Sequence, residues 1–199
     1  MSVPASQFGS DRHTYRDYCQ WPDDVRYELI DGVAYLMSPA PNWRHQEITG
    51  GVYAQLYRQL EGHPCRVAIA PLDVRLPKAD EADDEVDTVV QPDVLIVCEA
   101  HKIDRRGIRG APTFVLEVLS PSSARHDHIR KRALYERVGV QEFWLLHPVD
   151  GVLTRYRRRA DAAGFEQAEF LACEGVIALS CIADLSVDFS GLYPAPEQD

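Results

Sequence analysis

Apolar residues along this chain fall mostly into short β-prone runs, with two longer stretches carrying a helical period. Tyr27-Glu28-Leu29-Ile30 and Val33-Ala34-Tyr35-Leu36-Met37 flank Asp31-Gly32. Two such runs around Asp-Gly predict a hairpin, because a type I′ turn needs positive φ at both central residues. Over residues 44–60, Ile48, Val52, Leu56 and Leu60 recur every fourth position, which predicts a helix with one apolar stripe. Gly50-Gly51 weaken that helix by about 1 kcal/mol each relative to alanine, a cost that suggests close packing there. Gly62 and Pro64 end it.

Residues 66–70 and 72–76 predict short strands. Val94-Leu95-Ile96-Val97 is wholly apolar, and residues 114–119 are apolar but for Glu117. Continuous Val/Ile/Leu runs predict central strands covered on both faces. Residues 125–138 predict a second helix with Gly139 just beyond its end. Residues 142–146 and 152–156 form a second hairpin signal through Asp150-Gly151, and residues 176–179 and 185–189 predict small strands. The residues from 194 on read as a disordered tail. The order of elements predicts one α/β domain over residues 1–199, with a core from about 14 to 190 and a mixed sheet carrying a helix on each side.

Composition narrows the class. The chain has 199 residues, 45% of them hydrophobic and 26% charged, which suits one domain with a substantial core. No basic start leads into an apolar run, and no stretch approaches eighteen apolar residues, so neither a signal peptide nor a membrane span is expected. Five cysteines, Cys19, Cys65, Cys98, Cys173 and Cys181, are odd in number and form no CxxC. A disulfide framework or thiolate zinc site is not expected. Cys65 and Cys98 read as buried small hydrophobes, consistent with a reducing cytoplasm. The net charge of −10 argues against a protein that coats nucleic acid, but six of the acids lie in residues 80–87, which read as a solvated loop.

Chemistry concentrates in a few positions. Asp93 precedes one apolar run and Glu117 lies inside another. A carboxylate within a β-run is costly unless it is paired or binds a cation. Two acids at the ends of adjacent strands can converge on one Mg²⁺ and its waters; alternatively, Glu117 pairs with a cation and only holds the sheet together. Asp127, Lys131 and Tyr135, spaced by four, share a helix face. Lys131 either turns towards the acids or forms a surface pair with Asp127. Glu28 is either a third acid or a solvent-facing strand residue, and His45 opens the first helix. Among basic residues, Arg105, Arg106, Arg109 and Arg125 adjoin the acid pair in sequence and are the candidates for phosphate contacts.

These residues together resemble a known family. Tyr27-Glu28-Leu29-Ile30-Asp31-Gly32, then His45, then Gln91-Pro92-Asp93-Val94, resemble the bacterial Uma-type restriction endonucleases. So do Val115-Leu116-Glu117-Val118-Leu119-Ser120-Pro121-Ser122, then Asp127, Lys131 and Tyr135, and last Gly139-Val140-Gln141-Glu142-Phe143-Trp144-Leu145-Leu146. The resemblance runs in order from about Thr14 to Tyr156 and implies the PD-(D/E)xK nuclease fold. It implies Asp93 and Glu117 as the metal-binding acids, with Mg²⁺ or Mn²⁺ as cofactor, and Glu28 as the extra acid some members place ahead of the core. The parent lysine, two positions after Glu117, is here Leu119; the resemblance implies that Lys131 replaces it. The function implied is endonucleolytic hydrolysis of DNA. The alternative is a non-catalytic relative that binds or assembles. A homodimer is expected, since cutting two strands needs two sites; Trp43, Tyr53 and Tyr57 are the aromatic residues offered for its interface.

Overall fold

The computed structural model describes residues 12–22, 25–37, 42–120, 127–159 and 164–193, without the side chains of Asp127 and His128. The first hairpin forms as expected from β1 (Tyr27–Ile30) and β2 (Val33–Leu36), with Ile30 opposite Val33. Asp31 and Gly32 have φ of 50° and 78°, the positive values the tight turn demands.

The described residues form two six-stranded sheets where the sequence led us to expect one. The first has the order β2-β1-β5-β4-β8-β7, adding β4 (Val74–Arg75), β5 (Val89–Val90), β7 (Ile103–Asp104) and β8 (Gly107–Arg109) to the hairpin. The hairpin and β4, within the expected strand 72–76, were anticipated; β5, β7 and β8, of two or three residues, are too short for period-two alternation to register. The second has the order β12-β11-β10-β9-β6-β3, from β3 (Arg66–Ile69), β6 (Val94–Val97), β9 (Phe114–Val118), β10 (Glu142–His147), β11 (Val152–Arg157) and β12 (Glu169–Ala172). It is mixed, because β9 and β10 run parallel while the other pairs are antiparallel. A small pair, β13 (Val176–Ala178) and β14 (Ser186–Asp188), lies apart.

Helices fill the gaps. α1 (Tyr15–Tyr18) is a single turn, α2 (Trp43–Gln59) is the long helix, and α3 (Arg132–Val138) follows a π-helical turn, Asp127–Lys131. Gly139 ends α3 at φ 93°. The parallel pairing of β9 and β10 needs a crossover connection, and α3 lies in it.

The second sheet is covered on both faces, as its apolar runs predict. Val94, Ile96, Leu116 and Trp144 pack with Ile48, Val52 and Leu56 of α2. Leu95, Val97, Val115, Phe143 and Leu145 pack on the other face with Leu134 and Tyr135 of α3 and with Ile30, Val74, Val90 and Ile108 of the first sheet. The expected close packing at the two glycines holds for one of them. A Cβ on Gly51 would lie 2.3 Å from Leu192 Cδ2, whereas a Cβ on Gly50 would meet nothing within 4 Å.

Two expectations need correction. Residues 80–87 are not a solvated loop: Val86 is fully buried, Asp83 pairs with Arg75, Arg106 and Arg109, and Asp87 holds Lys78 at 2.6 Å. Nor are Cys65 and Cys98 separate apolar residues; they form a disulfide. Arg66 lies opposite Val97 in the β3–β6 ladder, so the next step outward sets the two cysteines side by side, with Cα atoms 3.9 Å apart. Their separation of 33 residues conceals that neighbourhood in the sequence. Among the described residues, no helix is long and apolar enough to cross a membrane.

Candidate nuclease site

Glu117 belongs to the face of β9 shared by Val115 and Leu119, the face turned towards α3 and the first sheet. Glu28 shares its side of β1 with Ile30, and so turns towards the same layer. Lys131, from the end of the π-helical turn, lies between them: its Nζ is 2.9 Å from Glu117 Oε1 and 2.9 Å from Glu28 Oε1. All three are at least 96% buried. One turn on, the Tyr135 hydroxyl donates to Glu117 Oε1 at 2.8 Å. Burial, and then the charge of Glu117, push the Tyr135 phenol well above its ordinary pKa, so it stays a donor. The expected face shared by Lys131 and Tyr135 is thus turned inward; the side chain of its third member, Asp127, lies outside the described residues. Leu119, at the parent lysine position, is buried in the apolar layer.

Asp93 stands one residue before β6. Val94 is opposite Leu116, so the next step of the ladder sets Asp93 against Glu117; residues directly opposed in such a ladder are about 4.5–5.5 Å apart at Cα. Asp93 Oδ2 accepts from the Val118 backbone N–H at 2.8 Å and lies 3.2 Å from His45 Nε2. The other ring nitrogen of His45 is 3.4 Å from Thr49 Oγ1. His45 is fixed in place by the first turn of α2, where its own N–H caps onto the Asn42 side chain. Among the described residues, no three of His, Cys, Asp and Glu gather as a ready-made metal cage. The Lys131 ammonium lies between Glu28 and Glu117, and Asp93 and Glu117 are the neighbouring carboxylates that could hold a metal ion.

A polar cluster behind the acids was missed by the sequence reading. The backbone N–H of Gln91 donates to Glu28 Oε1 at 3.1 Å. Its side-chain amide donates to Asp73 Oδ1 at 2.9 Å and to the Tyr18 hydroxyl at 3.1 Å, and accepts from Arg26. Tyr18 in turn donates to Asp73 at 2.9 Å. Burial, then Asp73, raise the Tyr18 pKa. Only Gln91, as part of Gln91-Pro92-Asp93, carried any signal; the other three meet it through tertiary contacts.

The candidate phosphate contacts are not brought to these acids. Arg106 pairs with Asp83 and Asp84, and Arg109 with Asp83 and the Glu81 carbonyl, at the far edge of the first sheet from β1. Arg105 is exposed on the same β7–β8 turn, and Arg125 lies outside the described residues. Arg130, the residue before Lys131, stacks its guanidinium 4.5 Å above the ring of Tyr35, the cross-strand partner of Glu28.

The fold has a solved counterpart. The crystal structure of "a putative nuclease belonging to DUF820" from Anabaena variabilis superposes with a TM-score of 0.69 at 17% identity, covering 90% of this chain and 96% of that one. No curated protein matches the chain. A family match spans residues 15–190, which contain every element of the two sheets and all the acids described above. The chain belongs to the Uma2 family, described as "Putative restriction endonuclease".

Proposed function

We propose that this protein is a Mg²⁺-dependent (or Mn²⁺-dependent) endonuclease that hydrolyses DNA phosphodiester bonds and works as a homodimer. The observation that carries the reading is the buried set of Glu28, Lys131 and Glu117 beside Asp93. A protein that only needed a stable sheet gains little from burying three charges, because replacing such a set by apolar residues is often neutral or stabilising.

In this reading Asp93 and Glu117 would hold the ion, which would supply Lewis acidity to polarise the phosphodiester and acidify a water. His45 and the Val118 N–H fix the Asp93 carboxylate. Tyr135 and Lys131 both hold Glu117 Oε1, orienting its other oxygen. Lys131 also carries the positive charge that offsets charge developing on the phosphate. Glu28, anchored by the Gln91 N–H, holds Lys131 in place.

A second reading has support in the same geometry. Lys131 is bonded to two carboxylates at once, as a purely structural ion triad would be, so a non-catalytic binding or assembly role follows if the acids take no metal. Plasmid nicking with Mg²⁺, with Mn²⁺ and with EDTA separates the two. Metal-dependent nicking supports the enzyme; calorimetry showing no metal binding, together with intact plasmid, supports the second reading.

A further inference from the structure

α2 buries one side and leaves the other bare. Ile48, Val52 and Leu56 face the core, and Gln55 and Gln59 bond the backbone of β14. The opposite side carries Trp43 at 82% exposure and Tyr57 at 55%, with Glu47, Ala54 and Arg58 also exposed. Gly50 lies between the two aromatics, and the space where its Cβ would sit is open. Trp43, Gly50, Ala54 and Tyr57 fall on one stripe, since positions three, four and seven apart share a helix face. Tyr53 does not belong to it, being partly buried against the core.

Large aromatics flanking a small-residue centre let a second helix approach closely, the aromatics covering the ends of the contact. The charges say which helix. Glu47 and Arg58 lie equally far, on opposite sides, from a centre between Val52 and Tyr53, and on the same flank of the stripe. At 1.5 Å per residue they are about 16 Å apart along one helix, too far to pair within a chain. In an antiparallel pair of α2 helices related by a twofold axis through that centre, Glu47 of each meets Arg58 of the other. Ala54 then packs beside Gly50, and Tyr57 reaches the turn that carries Glu47. Arg44, held by Glu47 within its own helix at 2.8 Å, stands in the same relation to Glu61 at the other end. A surface complementary to itself in this way is the mark of an isologous interface.

We infer that the exposed face of α2 is a homodimer interface, formed by antiparallel packing of α2 against α2 of a second copy. This does not depend on the chain being a nuclease. It sets the two His45 residues, one near each end of the helix pair, about 22 Å apart along the helix axes, so both acid sites belong to one assembly.

The test is mass in solution. Light scattering at micromolar concentration on the wild-type chain of 22.5 kDa should return twice that mass. Ala54→Arg, which fills the close approach, should weaken dimerisation about 100-fold or more, the scale of a central interface contact. Glu47→Arg and Arg58→Glu should each weaken it, and the double variant Glu47→Arg/Arg58→Glu should restore it, a rescue available only to charges meeting between copies. Circular dichroism confirms that each variant is folded. A monomeric wild type, a dimer untouched by Ala54→Arg, or a double variant no better than its two parents overturns the inference.

Discussion

Lys131 meets Glu117 across fourteen residues of sequence, Nζ to Oε1 at 2.9 Å, in a site from which water is almost wholly excluded. The same ammonium is as close to Glu28. Removing it takes from two buried carboxylates the ammonium they share. Lys131→Met should therefore cost about 3–5 kcal/mol of stability, the scale of a broken buried ion pair, far more than an exposed helix pair with Asp127 would. The double variant Lys131→Met/Glu117→Gln should recover part of that loss in thermal melts. It should recover no DNA cleavage, which the proposed reading expects to fall about 10²–10³-fold when Lys131 is lost.

Tyr135 offers a milder perturbation. Tyr135→Phe keeps the ring against Phe143, 4.9 Å between centroids, and deletes only the donor to Glu117. We expect a loss of about 1.5–3 kcal/mol in denaturant unfolding, the worth of a hydrogen bond to a charged group. Metal affinity measured by calorimetry should fall with it, because Glu117 loses a group that orients it.

The Cys65–Cys98 disulfide ties β3 to β6, the strand that Asp93 precedes. Under denaturing conditions without reductant, thiol titration should find three free cysteines, Cys19, Cys173 and Cys181. Reduction, or the variant Cys65→Ala/Cys98→Ala, should lower stability by about 2–4 kcal/mol. Five reactive thiols and an unchanged melting temperature under reductant would contradict it.

How much of this was legible is clear residue by residue. Glu117 announced itself, because a lone acid in an apolar run must find a partner. The spacing of Lys131 and Tyr135 put both on one helix face, but left open whether that face met Glu117 or carried a surface pair with Asp127. The hairpin at Asp31-Gly32 and the stripe of α2 followed from local rules. What stayed hidden depends on which strands become neighbours. Cys65 and Cys98 meet only because β3 pairs with β6 in one register. Gln91 meets Asp73 and Tyr18 only because the first sheet is assembled from pieces too short to carry a pattern. The acids of residues 80–87 read as solvated since no sequence rule shows that Arg75, fully buried, lies behind them.

Arg75 also pairs with Asp104 of β7, and that contact gives a pH dependence. The hydrogen bond from Arg75, above all, holds the Asp104 carboxyl below its ordinary pKa. A carboxylate whose folded pKa is depressed contributes stability above its unfolded pKa of about 4, and loses it as the pH falls through the lower folded value. Asp104→Asn should thus melt below the wild type at pH 7, with the gap closing as pH falls below about 4. A gap that stays constant from pH 7 to pH 3 would mean that Asp104 acts through something other than its charge.

If Asp93 and Glu117 form one metal-dependent centre that cuts DNA, as proposed, cleavage needs both carboxylates and a divalent ion. The most direct measurement is conversion of supercoiled plasmid to nicked and linear forms, for wild type, Asp93→Asn and Glu117→Gln, each checked for folding by circular dichroism and each run with Mg²⁺, Mn²⁺ or EDTA. The wild type should cleave with a divalent ion and not with EDTA, and either folded variant should lose about 10²-fold or more in rate. Plasmid left intact by the wild type under every condition, or cut equally fast by Asp93→Asn, would contradict the proposal.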